Sequence, residues 1–64
     1  GADNTLRVYG SHGQLVIENA GEARAVRVYD IAGRNVATVN AQEGKTTVEL
    51  AGGIYIVEGR KVRI

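Results

Sequence analysis

The chain has 64 residues, with eight basic and seven acidic side chains and a formal net charge of +1. A chain this short forms one domain and buries only about 60% of the surface that its unfolded form exposes. The near balance of charges argues against a nucleic-acid-binding domain, which would carry a basic stripe, and no segment reaches the roughly 18 apolar residues of a membrane span. The sequence contains no cysteine, which excludes disulfides and thiolate chemistry.

Short runs rich in β-branched and aromatic residues recur along the chain, at a spacing of about eight to twelve residues and with turn residues between them. In chain order, the seven predicted strands cover residues 6–9, 15–18, 25–29, 36–39, 46–50, 54–57 and 61–64. The predicted fold class is all-β: a small immunoglobulin-like antiparallel β-sandwich of about seven short strands. We expect a single domain over residues 1–64, in which Gly1-Ala2 resembles a cloning remnant.

Three connections are predicted from their residues. The segment 30–33 reads DIAG, which is typical of a type I turn with Gly33 in the left-handed conformation and with the Asp30 side chain bonded to its own backbone. Glu58-Gly59 predicts a tight hairpin turn. Residues 40–45 are interpreted as a polar loop centred on Gly44.

Alternation along each strand assigns the side chains that face the interior. The predicted inward set is Leu6, Val8, Leu15, Ile17, Val26, Val28, Val36, Val48, Leu50, Ile54 and Ile56. Residues 54–57 are apolar on both faces, which predicts a central strand. On this assignment Ile56→Ala should lower the free energy of unfolding by about 2–5 kcal/mol, which is the usual loss when a buried Ile is truncated.

No arrangement of residues indicates catalysis, and we predict a domain that is not an enzyme and holds no metal and no cofactor. His12 is the only histidine, whereas a metal site needs three or four converging ligands. Its neighbour Ser11 is expected to point to the opposite side of the extended chain, so the two would not form a nucleophile and base pair. Gly52-Gly53 lacks the Lys-Ser/Thr pair and the helix of a phosphate-binding loop.

Two groups of side chains allow a functional interpretation beside a structural one. Tyr9, Tyr29 and Tyr55 would form a ligand platform if they shared a face, but tyrosines more often pack at the border of a core with the hydroxyl in water. Arg60, Lys61 and Arg63 concentrate positive charge near the end of the chain. Such charges either protect an outer strand from aggregation or attract a partner that captures the end of the chain.

Three segments carry a resemblance to a known family. Residues 26–36 read VRVYDIAGRNV, residues 53–57 read GIYIV and residues 61–64 read KVRI. In this order and spacing they resemble the Val-x-Val-Tyr-Asp-x-x-Gly-Arg-x-Val, Gly-x-Tyr-x-Val and closing basic-aliphatic motifs of type A C-terminal sorting domains. These domains belong to the type IX secretion system, the Bacteroidetes route across the outer membrane. The chain departs from the family near the first strand, where residues 9–12 replace the usual Asn-Pro-type element.

The resemblance implies a non-catalytic address at the end of a larger cargo protein. Its partners would be the secretion translocon and a sortase-like peptidase that usually removes the domain, with no membrane insertion. Its location would be the periplasm in transit, and then the cell surface or the medium. The residues expected to be recognised are Gly53, Tyr55, Lys61, Val62, Arg63 and Ile64.

Two other interpretations stay open. A small adhesion or carbohydrate-binding module appended to an enzyme would need an exposed aromatic platform or a ligand set carried by loops. A small core and an exposed terminal hairpin would also allow two copies to exchange strands as a homodimer.

Overall fold

A computed structural model describes residues 5–64, so Gly1-Ala2 lies outside the described residues. Seven strands and no helix occur in this part of the chain. The strands are β1 (Leu6–Ser11), β2 (Gln14–Asn19), β3 (Arg24–Asp30), β4 (Asn35–Ala41), β5 (Gly44–Glu49), β6 (Ile54–Val57) and β7 (Arg60–Arg63). The prediction of seven strands is confirmed, and most of them are longer than the sequence pattern indicated.

The strands form two antiparallel sheets that pack face to face as a small β-sandwich, as predicted. One sheet has the order β1-β2-β5 and the other has the order β4-β3-β6-β7. The chain crosses between the sheets after β2, β4 and β5, which is the connectivity of immunoglobulin-like domains with a fourth strand beside the third. Strand β6 has a neighbour on each side, so the prediction that residues 54–57 form a central strand is confirmed.

The core lies between the two sheets and is almost entirely aliphatic. Its five largest fully buried side chains are Leu15, Ile17, Val26, Val28 and Val57. Leu15, Ile17, Val26 and Val28 were predicted to face inward, and Val57 was not. Four other members of the predicted inward set pack against this cluster while staying partly exposed: Leu6, Val8, Val48 and Leu50. Apolar burial of this kind contributes about 1.5–3 kcal/mol for each fully buried side chain, so packing of the two sheets against each other is a main source of stability.

Val36 was predicted to face inward, but it is 45% exposed. The reason is a β-bulge, because Val28 pairs with Ala37 while Tyr29 pairs with Asn35, which leaves Val36 as the extra residue. The Asn35 side-chain amide donates to the Val28 and Ala37 carbonyl oxygens, at 3.3 and 3.0 Å, and fills the gap in the ladder. Beyond the bulge, β4 points Ala37 and its alternate residues inward instead.

The predicted inward positions on β6 are also wrong, because the strand has the opposite phase. Val57 is fully buried, whereas Ile54 is 39% exposed and Ile56 is half-buried. Val57 pairs with Val28 of β3, so both side chains point into the sandwich. A strand that is apolar at all four positions does not reveal its phase by alternation, and the register with β3 decides it.

Two of the three predicted connections have the expected geometry. Gly33 has a φ of +88° and donates its N–H to the Asp30 carbonyl oxygen at 3.0 Å. The Asp30 carboxylate accepts from the Arg34 and Ala32 backbone N–H groups at 2.9 and 3.0 Å. The Arg34 N–H bond in particular lowers the pKa of this carboxyl. The turn at Glu58-Gly59 has positive φ at both residues, which is the type I′ geometry of a two-residue hairpin.

The third connection is shorter than predicted. β4 runs on to Ala41, which is fully buried, and β5 begins at Gly44, so only residues 42–43 connect the strands. The buried Asn19 side chain supports this end of the sandwich, since its amide donates to the Ala41 carbonyl oxygen at 3.1 Å and to the Glu22 carbonyl oxygen at 2.9 Å.

The end of β7 is held from two directions. Ile64 donates its N–H to the Gly53 carbonyl oxygen at 2.9 Å, and Gly53 donates back to an Ile64 oxygen at 3.4 Å. On the other side of β7, a methyl group at Gly10 of β1 would overlap the Arg63 carbonyl oxygen. The absence of a side chain at Gly10 therefore lets β1 and β7 approach closely and closes one side of the sandwich.

The phase of β6 leads to a prediction about two neighbouring residues. Val57→Ala should lower the free energy of unfolding by about 1.5–3 kcal/mol, because it removes fully buried methyl groups. Ile56→Ala removes more atoms but should cost only about 1 kcal/mol, because its side chain lies on the outer face. Urea unfolding of both variants measures the order, and a larger loss for Ile56→Ala would contradict the register described here.

The contact of β1 with β7 leads to a second prediction. Gly10→Ala should lower the free energy of unfolding by about 1–3 kcal/mol, because the new methyl group must push the Arg63 backbone away. Gly52→Ala is the matched control: it is close to the same end of the chain, but its nearest heavy atom would be an Ile64 oxygen at 3.8 Å. Equal stability of the two variants in urea would show that β1 does not press on β7.

Candidate functional site

The residues predicted to be recognised by a partner all belong to the β6–β7 hairpin or its immediate ends, but they do not form one surface. Lys61 and Arg63 are exposed on the outer face of the four-stranded sheet. Val62 and Tyr55 form a cross-strand pair and face the core, where Val62 is buried and Tyr55 is partly buried. Of these four side chains, only those of Lys61 and Arg63 are therefore available to a partner of the folded domain.

Gly53 and Ile64 act through the backbone. They form the hydrogen-bonded pair that prolongs the β6–β7 ladder beyond the strand ends. Gly53 has a φ of +156°, and nothing lies within 4 Å of the position of a Cβ atom there. Glycine is therefore required by the backbone conformation and not by crowding.

Tyr55 has a structural role that its hydroxyl group reveals. The hydroxyl donates a hydrogen bond of 2.7 Å to the Ala51 carbonyl oxygen, four residues upstream. This is the arrangement of the tyrosine corner found in immunoglobulin-like sandwiches, where the ring packs on the core and the hydroxyl fixes the preceding connection. The bond ties the crossing segment between the sheets to the start of β6.

The backbone of β7 offers little to a strand that would add to its outer side. Hydrogen-bonded and free pairs alternate along an antiparallel ladder, so the Gly53–Ile64 pair directs the backbone groups of Val62 toward β6 and those of Lys61 and Arg63 outward. The Arg63 carbonyl oxygen lies against Gly10 of β1. Within residues 5–64 the outward backbone groups of β7 that stay uncovered are those of Lys61 and the Arg63 N–H, a short stretch that favours recognition through side chains over strand addition.

The structure corrects the prediction for Ser11 and His12. Ser11 Oγ lies 2.9 Å from His12 Nδ1, so the two side chains meet although they are neighbours in sequence. The reason is that His12 has a φ of +53° in the β1–β2 turn, and the chain is not extended there. The pair is exposed, and no third side chain among residues 5–64 is hydrogen-bonded to the imidazole.

The three tyrosines lie in three different environments and form no common platform. Tyr9 is on the outer face of the three-stranded sheet, where its hydroxyl donates to Glu18 Oε2 at 2.6 Å. That hydrogen bond is the main cause of the raised pKa of Tyr9, and the Arg7 guanidinium lies 5.7 Å from the ring centre. Tyr29 is on the outer face of the other sheet, and Tyr55 faces the core.

Residues 5–64 contain no group of three or more His, Asp or Glu side chains placed to hold a metal ion. No helix in the same part of the chain is long and apolar enough to cross a membrane. Comparisons with models of protein families, with curated proteins and with solved structures found no match for this chain.

Sequence reasoning missed Gly10, whose role depends on a contact with a residue 53 positions away along the chain. It also missed that the outer face around Lys61 and Arg63 includes side chains from β3 and β6. The register makes this visible, since Ile56 pairs with Lys61 on one side and with Tyr29 on the other.

The tyrosine corner leads to a prediction. Tyr55→Phe should lower the free energy of unfolding by about 1 kcal/mol, because it removes the bond to the Ala51 carbonyl oxygen. Tyr29→Phe is the matched control, since that ring is on the outer face and its hydroxyl has no hydrogen-bond partner within residues 5–64. Thermal unfolding of both variants tests the difference, and equal melting temperatures would remove the structural role of the Tyr55 hydroxyl.

Proposed function

We propose that this domain is a non-catalytic sorting signal that directs a larger cargo protein through the outer-membrane translocon of the type IX secretion system. In this proposal the domain passes through the periplasm and is usually removed at the cell surface by a sortase-like peptidase. The residues that contact the translocon are Lys61 and Arg63, while Gly53, Tyr55, Val62 and Ile64 hold the hairpin that presents them.

One observation carries the proposal. The three segments that resemble the sorting family are separated in sequence, yet they fold onto adjacent strands of one sheet. The first segment, 26–36, covers most of β3, the turn that follows it and the start of β4. The second, 53–57, contains β6 and the residue before it, and the third, 61–64, covers most of β7 and the residue after it. Motifs that serve one recognition event are expected to lie together, and these do.

A carbohydrate-binding or adhesion module is the alternative that the sequence left open. Such modules need convergent polar groups beside exposed aromatic rings. Here the rings of Tyr9 and Tyr29 lie on opposite outer faces and Tyr55 is turned to the core. This separation favours the sorting signal.

Export of a reporter tests the proposal. A fluorescent protein with a periplasmic signal peptide, followed by residues 1–64, should reach the cell surface or the medium of a Bacteroidetes host. It should stay in the periplasm of an otherwise identical strain that lacks the translocon. An unrelated β-sandwich of similar size in place of residues 1–64 is the control. Retention in the competent strain, or equal release from both strains, would contradict the proposal.

The same fusion protein tests whether export requires the β6–β7 hairpin. Deletion of residues 60–64 should abolish export, because it removes both β7 and the exposed Lys61 and Arg63. Survival of export after this deletion would mean that the end of the chain is not recognised. The proposal also requires that Ile64 be followed by a stop codon in the parent gene.

A further inference from the structure

The outer face of the four-stranded sheet collects side chains from three adjacent strands. Val28, Val57 and Val62 point into the sandwich, and their neighbours along each strand therefore point outward. The outward side chains at the centre of the sheet, which we call the basic face, are Arg27, Tyr29, Ile54, Ile56, Lys61 and Arg63.

The basic face carries positive charge that the domain itself does not neutralise. Arg27, Lys61 and Arg63 form no ion pair within residues 5–64. Glu58 lies at the border of the face, beside Arg27 and Ile56, and its carboxylate is bound by the Arg24 guanidinium at 2.8 Å. No outward strand position of this sheet carries Asp or Glu.

The opposite outer face of the sandwich has mixed charge. On the three-stranded sheet the Arg7 guanidinium lies 3.7 Å from the Glu18 carboxylate, and Lys45 and Glu49 lie on β5 of the same sheet. A net charge of only +1 is therefore distributed unevenly, with the positive excess on one side of the domain.

The centre of the basic face is apolar and its borders are charged. The register places Tyr29, Ile56 and Lys61 in one row across three strands, and it places Ile54 beside Arg63 in the next row. Because neighbouring strands are about 4.8 Å apart, such a row spans roughly 10 Å. Protein–protein contacts typically have an apolar centre and a polar border and often include Tyr and Arg side chains, and the basic face has one Tyr and two Arg.

We propose that the basic face docks onto an acidic protein surface that packs an apolar side chain against Tyr29 and Ile56. This inference rests on the proposed function, since it takes Lys61 and Arg63 as partner contacts, and it extends the contact to β3. The two longest dimensions of the domain are 28 and 25 Å. Covering one broad face would bury up to about 800 Å² per partner, which is the size of a standard protein–protein interface.

The same features disfavour two other classes of partner. Single-stranded nucleic acid is bound by successive aromatic rings on which its bases stack, and the basic face has one ring. A membrane surface requires several apolar side chains that project beyond the cations, but Ile56 and Tyr29 are half-buried and only Ile54 of the apolar side chains on the basic face is exposed.

Titration of the ¹⁵N-labelled domain followed by NMR tests the inference. The probe is a synthetic heptapeptide in which six acidic residues flank one phenylalanine, and the same peptide with lysines is the control. Amide shifts should be confined to β3, β6 and β7 and should weaken as salt is added. Lys61→Glu should weaken binding about tenfold. Lys45→Glu makes the same charge change on the other sheet and should alter the affinity for the acidic peptide by less than about twofold.

Each other outcome overturns the docking proposal. No shift at millimolar acidic peptide, shifts spread over both sheets, or equal effects of Lys61→Glu and Lys45→Glu would show that the face is not a docking surface. Tighter binding of an oligothymidine or of phosphatidylglycerol vesicles would assign it to another class of partner.

The two proposals fail in different ways. If the acidic peptide binds the basic face while reporter export is independent of the translocon, the sorting function is wrong and the docking surface stands. If export depends on the translocon but is unchanged in a folded Lys61→Glu variant, the sorting function stands and the docking surface is wrong.

Discussion

Two backbone hydrogen bonds between Gly53 and Ile64 fix the end of β7 to the sheet, and the orientation of the terminal hairpin depends on this attachment. They prolong the β6–β7 ladder that the Glu58-Gly59 turn begins, in which Tyr55 and Val62 face inward and Lys61 and Arg63 face outward. Close approach of β1 to β7 at Gly10 holds the same strand from its other side. The hairpin is therefore a rigid part of the sandwich, and the proposed partner would meet it as a folded face instead of an extended tail.

Much of the fold could be predicted from the residues alone, because local chemistry decides it. The seven strands follow from β-branched runs separated by turn residues, and Asp30 and Gly33 define their turn through one side-chain carboxylate and one positive φ. The two-residue turn at Glu58-Gly59 also indicates which residues of β6 face inward, which the apolar residues of β6 by themselves do not. It pairs Tyr55 with Val62, so the clear alternation of β7 reveals the phase of β6.

Features that depend on distant contacts could not be predicted. The bulge that exposes Val36 needs the Asn35 amide to reach the Val28 carbonyl oxygen on the neighbouring strand. Gly10 matters because the Arg63 backbone passes over it. For the candidate site, the sequence indicated the exposed cations Lys61 and Arg63. It did not indicate that Tyr55 serves a corner hydrogen bond, because Ala51 comes within reach of the hydroxyl only through the way the chain crosses from one sheet to the other.

Amide hydrogen exchange at Ile64 is the most direct measurement of the central claim. The claim is that the end of β7 is bonded into the sheet, so the Ile64 amide should exchange at least about a hundredfold more slowly than in an unstructured chain, together with amides of the sheet. Exchange of the Ile64 amide at the unprotected rate, while amides of β2 and β3 stay protected, would show that the hairpin frays. The account of a rigid, outward-facing basic surface would then be contradicted.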